Sequence, residues 1–238
     1  MLAPGWPNEP ETVLAARQHP EYVAGQTINQ VSAHYAGIIA QLSSPPAVIG
    51  HSFGGLVALK LLDRDLTSAA IAIDPAPIKG VWRLPLKQLH AAWPVLSRPR
   101  TRHRAVSLNH EQFRFGFGNR LPGAVSDELF ERYAIPSPGR PLWQAAMANL
   151  NPAAQSKVDT HKRRAPLLLM AGGYDNTVPA STIRAVRRLY GRSPSPTSFM
   201  EWPERGHSMV LDDGWRDIAD YALEWLRADP GTLDETVE

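Results

Sequence analysis

Apolar positions along this chain follow two periods, and the places where one gives way to the other outline its architecture. Ile28, Val31, Tyr35, Ile38 and Leu42 share one helical face, and Thr27 with Gln30 forms a capping box ahead of them. Ser43-Ser44-Pro45-Pro46 stops that helix. A short apolar run over 47–50 leads into Gly50-His51-Ser52-Phe53-Gly54-Gly55 and then a helical pattern to about residue 64. Ala69 to Ile73 reads as a second buried strand, closed by Asp74-Pro75; Pro166 to Ala171 reads as a third and Thr197 to Trp202 as a fourth. Between the last two, a helix carrying Ile183, Val186 and Leu189 ends at Gly191. Asp213 is expected to cap a final helix striped by Trp215, Ile218, Ala219, Ala222, Leu223 and Leu226. Strands alternating with helices predict an α/β fold with a mostly parallel sheet flanked by helices.

Two stretches break this alternation. From Ala76 to about Ala165, prolines, aromatics and arginines surround short helical candidates at 86–96, 111–117, 127–133 and 142–150. That interval is far longer than an ordinary connection, so it predicts a helical insertion. The chain then divides into a core part (1–75), the insertion (76–165) and a second core part (166–238). The opening LAPGWPNEPETV reads as the tail of a short strand followed by a turn, because Pro4, Pro7 and Pro10 exclude a helix interior or a central ladder.

Composition narrows the class of molecule. With 238 residues, 43% hydrophobic and 20% charged, the chain can bury a full core. A net charge of +2 from 25 basic and 23 acidic side chains is no nucleic-acid-binding field. The absence of cysteine excludes disulfides and thiolate metal sites. No run reaches the ~18 apolar residues that span a bilayer, and the first residues do not form a signal peptide. These features lead us to expect a cytoplasmic protein with no membrane span and no nucleic-acid partner.

The candidate chemistry sits where strands end. A strand entering Gly-x-Ser-x-Gly and leaving as a helix is the setting of a nucleophile elbow, which places Ser52 at the tip of a tight turn. Gly50 and Gly54 are expected to remove side chains that would collide there. The N–H of Phe53, at the positive end of the following helix, would face negative charge forming on a carbonyl attacked by Ser52. A serine needs a base, and the base needs an anion to hold its tautomer. Asp175 follows the Leu-rich strand and His207 follows the last strand, so in a parallel sheet all three converge at one edge. Asp74, also at a strand end, is the rival acid.

The order Ser, Asp, His, carried by GHSFGG, GGYDNTVP and RGHS, resembles the α/β-hydrolase fold family over roughly residues 25 to 228. The resemblance implies that Ser52 is a nucleophile, His207 a general base and then acid, Asp175 the orienting carboxylate, and Phe53 N–H an oxyanion donor. It also implies that 76–165 is a cap, that no metal or organic cofactor is needed, and that the substrate is a small acyl compound cleaved through an acyl-serine. C–C hydrolysis, cofactor-free haloperoxidase-like activity and a non-catalytic binding role on the same fold are the alternatives. Haloalkane dehalogenation is disfavoured, since its nucleophile in this fold is a carboxylate. Trp82, Trp93, Phe113, Phe115, Phe117 and Trp143 either line an acyl pocket or form small-helix core. His51 is read as packing beneath the site, and Arg98 to Arg104 as a solvated surface of the insertion. One departure stands out: the family's early strands and His-Gly oxyanion loop find no counterpart before residue 45. The strand at 47–50 is therefore expected to be an uncovered edge open to self-association, and the sequence is expected to begin inside a longer chain.

Overall fold

The computed structural model describes residues 3–228. Helix α1 (Val13–Gln18) is capped by the Thr12 side chain and is followed by a single 3-10 turn at Pro20–Tyr22. Helix α2 (Ile28–Ile39) begins at Thr27, and both halves of its capping box with Gln30 are made. The strand tail expected at the start is not seen over Ala3 and Pro4, and Leu2 lies outside the described residues. Pro4 instead accepts a hydrogen bond from the Tyr35 hydroxyl at 3.0 Å, which holds the opening loop against α2.

Strand β1 (Ala47–His51), helix α3 (Phe53–Asp63) and strand β2 (Ala69–Ile73) come next. The segment after β2 holds helix α4 (Leu86–Leu96), a 3-10 turn at Pro99–His103, strand β3 (Ala105–Val106), helices α5 (His110–Gly116) and α6 (Gly123–Tyr133), strand β4 (Ser137–Pro138) and helix α7 (Gly139–Ala146). Strand β5 (Leu167–Gly172), helix α8 (Ala180–Tyr190), strand β6 (Thr197–Trp202) and helix α9 (Trp215–Arg227) complete the described chain. β1, β2, β5 and β6 form one parallel sheet in that order, while β3 and β4 pair antiparallel within the insertion. That small pairing has no sequence signal, since two-residue strands are too short to show a period.

The two central strands explain the layering. Ala70, Ala72, Leu167, Leu169 and Ala171 face α3 and α8, where Leu56, Leu59, Ile183 and Val186 pack. The alternate residues Ala69, Ile71, Ile73, Leu168 and Met170 face α9. A strand covered on both sides has no polar face to show, which is why β2 and β5 read as unbroken apolar runs. Helix α2 packs in turn on α3 through Val31, Ala36, Val57 and Leu61.

Two expectations about α9 need correction. Gly214, not Asp213, occupies its N-cap, and the preceding turn is tied by the Asp212 carboxylate accepting from Gly214 N at 3.2 Å. Its buried stripe is Ile218, Ala222 and Trp225, whereas Trp215 and Leu223 are exposed. The buried Trp225 indole N–H donates to Ser198 Oγ on β6 at 3.0 Å. Among the described residues β1 pairs only with β2, so it forms an edge, and Ile49 on it is 50% exposed.

Candidate functional site

All four sheet strands run the same way, so the loops after them gather at one edge, and each carries a residue of interest: Ser52 after β1, Asp74 after β2, Asp175 after β5 and His207 after β6. Ser52 adopts φ 56° and ψ −122°, a conformation costing on the order of 1–3 kcal/mol for a residue with a Cβ. The surrounding backbone holds it there: Ser52 N donates to Ile73 O at 2.9 Å, and Ser52 O accepts from Ala76 N at 3.0 Å and Leu56 N at 3.2 Å. The close approach that this requires falls at Gly50, where a Cβ would lie 2.5 Å from the Gly54 carbonyl carbon. Gly54 itself has open space where a Cβ would stand, contrary to the steric role expected of it. The second tight glycine is Gly55, 3.0 Å from Pro75.

Ser52, Asp175 and His207 meet. His207 Nε2 lies 3.0 Å from Ser52 Oγ, and its Nδ1 lies 2.5 Å from Asp175 Oδ2. His207 is fully buried and Asp175 nearly so. Burial works against the charge on Asp175, but His207 and the N–H groups of Val178 and Thr177, donating to Oδ1 at 2.8 and 2.6 Å, outweigh it and hold its carboxyl below the usual range. Asp74 behaves oppositely. It is completely buried, and burial, followed by the charge of Asp175, raises its carboxyl well above the usual range. Its Oδ1 accepts from Gly172 N at 2.9 Å, which makes it a brace between β2 and β5.

The His51 ring lies 4.5 Å from the His207 ring, tilted by 45°, with Nε2 buried and without a hydrogen-bond partner. Burial and the adjacent His207 push its pKa down to about 3, so it remains neutral. Donor atoms of His51, Asp74 and His207 lie within 4.8 Å of one another, yet they make a poor metal set. Both nitrogens of His207 are already engaged by Ser52 and Asp175, and burial disfavours the charged form of Asp74 that a metal would need.

The insertion is lashed to the loops carrying Asp175 and His207. Asn119 donates to Tyr174 O at 2.7 Å, Asn176 to Phe115 O at 2.9 Å and Thr177 to Gly116 O at 2.8 Å. Arg120 pairs with Glu204 at 3.0 Å and lies 4.3 Å from the Tyr174 ring centroid. Phe117 meets His207 edge to face at 4.8 Å. The local sequence offers no signal for these contacts, which join residues 54 to 90 positions apart. Between insertion and sheet lies a cavity of about 760 Å³ that reaches Ser52 and Phe53. Of the six aromatics singled out, Trp82, Phe113 and Phe117 line it; Trp93, Phe115 and Trp143 do not.

A parallel α/β sheet whose strand-end loops deliver a strained serine, a buried imidazole and a carboxylate to one apolar cavity defines a small-molecule cleft of the α/β class. The chain belongs to the Alpha/beta hydrolase family, whose sequence profile matches residues 3–221. Solved structures similar in fold include a monoacylglycerol lipase from Paleococcus ferrophilus, at 21% identity and TM-score 0.58, covering 87% of this chain and 77% of that one. A thermophilic esterase from Thermogutta terrifontis matches at 19% identity and TM-score 0.58, over 85% and 73% of the two chains. A meta-cleavage product hydrolase from Pseudomonas fluorescens matches at 14% identity and TM-score 0.57, over 85% and 72%. A search of curated proteins finds no match.

Proposed function

We propose that the protein is a serine hydrolase that cleaves an ester or related acyl bond through an acyl-serine intermediate. The observation that carries this reading is the continuous path from Ser52 Oγ to His207 Nε2 and from His207 Nδ1 to Asp175, at the tip of a strained turn. In this reading His207 takes the Ser52 proton as the hydroxyl attacks the carbonyl carbon, and the Phe53 N–H at the start of α3 stabilises the oxyanion. His207 then returns the proton to the leaving alcohol. A water deprotonated by the same imidazole attacks the acyl-serine, releasing the acid and restoring Ser52. Asp175 stays ionised throughout, as its lowered pKa favours, and stabilises the imidazolium. Asp74 is less suited to that role, because burial and the charge of Asp175 disfavour its ionised form. Residues 76–165 act as the cap over the acyl pocket.

A fluorophosphonate probe tests the proposal. Rapid labelling of the native protein that disappears in Ser52→Ala and in His207→Ala supports it. Labelling that persists in Ser52→Ala, or none at all in folded native protein, points instead to a binding protein on the same fold.

A further inference from the structure

Lys79, Arg83, Lys87 and the run from Arg98 to Arg104, with four arginines, place seven basic side chains between Asp74 and Glu111, and no acidic one lies among them. The 25 basic and 23 acidic residues of the whole chain become 18 against 23 when these seven are set aside. A near-neutral sequence therefore carries a strongly cationic segment. Among the described residues none of the seven pairs with a carboxylate; Lys79 donates to Asn151 O and Arg102 to His103, and all but Lys79 are exposed.

The same segment exposes its largest apolar side chains. Helix α4 is apolar around most of its circumference yet buries none of its residues. Gln88, Ala92 and Val95 line the cavity, while Leu86 and Trp93 on the outer face are 84% and 64% exposed. Trp82 and Leu84, 72% and 54% exposed, extend the patch. Leu150, 71% exposed, joins it because Asn149 is bonded to Gly80 N and Val81 O, both at 2.7 Å. The two indoles alone leave on the order of 300 Å² in solvent, the size of a whole apolar patch on an ordinary monomer. Trp82, Leu84 and Leu150 also line the cavity, so the patch surrounds its mouth.

We propose that this face docks on an anionic lipid surface, with the mouth of the cavity turned toward the lipid. Indoles favour the boundary between headgroups and acyl chains, and each nearby Lys or Arg adds attraction to anionic headgroups. A second copy of this chain is a poor occupant, because pairing the face with itself sets seven cations against seven. A nucleic acid would satisfy the arginines and leave Leu84, Leu86 and Leu150 in water. The docking does not depend on the proposed acyl chemistry. Combined with it, the geometry makes the substrate an amphipathic ester drawn from the lipid layer.

Sedimentation of the Ser52→Ala chain with vesicles of phosphatidylcholine, alone or mixed with phosphatidylglycerol, tests this without any turnover. Binding at least tenfold tighter to the anionic vesicles, weakened by salt, is expected. The triple variant Arg98→Gln, Arg100→Gln, Arg102→Gln should bind them on the order of 100-fold more weakly, at about fivefold per charge. Trp82→Ser with Trp93→Ser should lower affinity for both vesicle types, and thermal melts should match the parent because these side chains pack little. Absent binding, equal binding to both vesicles, or binding that neither variant changes would overturn the proposal. So would a patch-dependent dimer or nucleic-acid complex without vesicle binding. Failure of serine labelling would leave this result untouched.

Discussion

Gly50→Ala probes how the turn at Ser52 is built. The added Cβ would stand 2.5 Å from the Gly54 carbonyl carbon and 2.9 Å from Gly55 N, and nearer still to Gly54 O. All three are backbone atoms of the first turn of α3, so no side chain can swing aside and β1 must part from the helix. Overpacking costs about 1–3 kcal/mol, and backbone neighbours put this case at the upper end. At 2–4 °C per kcal/mol for a chain of this size, the melting temperature should fall by roughly 6–12 °C. Parting the two elements also moves Ser52 off His207, and a displacement of about 1 Å costs on the order of 10² in rate. Gly54→Ala is the matched control: its Cβ meets nothing within 4 Å, and alanine is about 1 kcal/mol better than glycine in a helix. Calorimetry with p-nitrophenyl butyrate hydrolysis reads both effects. A Gly50→Ala protein that melts within 2 °C of the parent (roughly 1 kcal/mol or less) and keeps full activity would refute the argument.

Four further outcomes follow from the groups around His207. Asp175→Asn should lower kcat by about 10⁴, through loss of the anion that fixes the imidazole tautomer, whereas Asp74→Asn should stay within tenfold of the parent, an order-of-magnitude bound on losing a structural contact. Folded Asp74 keeps its proton above the pKa at which the unfolded chain loses it, so its contribution is lost as pH rises above about 4. Asp74→Asn should accordingly gain stability over the parent as pH increases, read by urea unfolding; a constant difference would show that Asp74 is ionised. His51 has the opposite dependence. With its pKa lowered to about 3, the folded protein takes no proton between pH 6.5 and 3 while the unfolded chain does. Stability should fall by up to about 1.4 kcal/mol per unit through that window, and His51→Asn should flatten the decline; equal acid sensitivity would count against it. Asn119→Ala, which frees Tyr174 O, should reduce kcat about tenfold with KM little changed, through imprecise placement of Asp175. A change in KM alone would make Asn119 a pocket residue.

The sheet was legible because its strands are extreme cases. β2 and β5 are buried on both faces and contain no polar residue, and β6 is bounded by prolines at 196 and 203. The convergence of residues 52, 175 and 207 followed from one topological fact, that loops after parallel strands share an edge. What escaped was set by contacts between distant positions. Trp225 is buried on α9 and bonded to Ser198 on β6, whereas Trp215 and Leu223 face solvent, so the stripe differs from the one that spacing favoured. The raised carboxyl of Asp74 and the lowered imidazole of His51 come from burial beside Asp175 and His207, which neither side chain's neighbours in sequence reveal. Gly54 matched a motif without the crowding that the motif implies, since Gly50 and Gly55 bear it instead.

The bonds from residues 115–120 to the loops at 174–177 and 204 fasten one flank of the roof over the cavity, whereas α4 on the other flank buries no residue and is tied to α8 by the Thr182 hydroxyl donating to Gln88 Oε1 at 3.1 Å. Trp82, Leu84 and Leu150 on the α4 side belong both to the cavity lining and to the exposed surface, so an apolar molecule passing that flank would exchange the cavity wall for these side chains before it met bulk water.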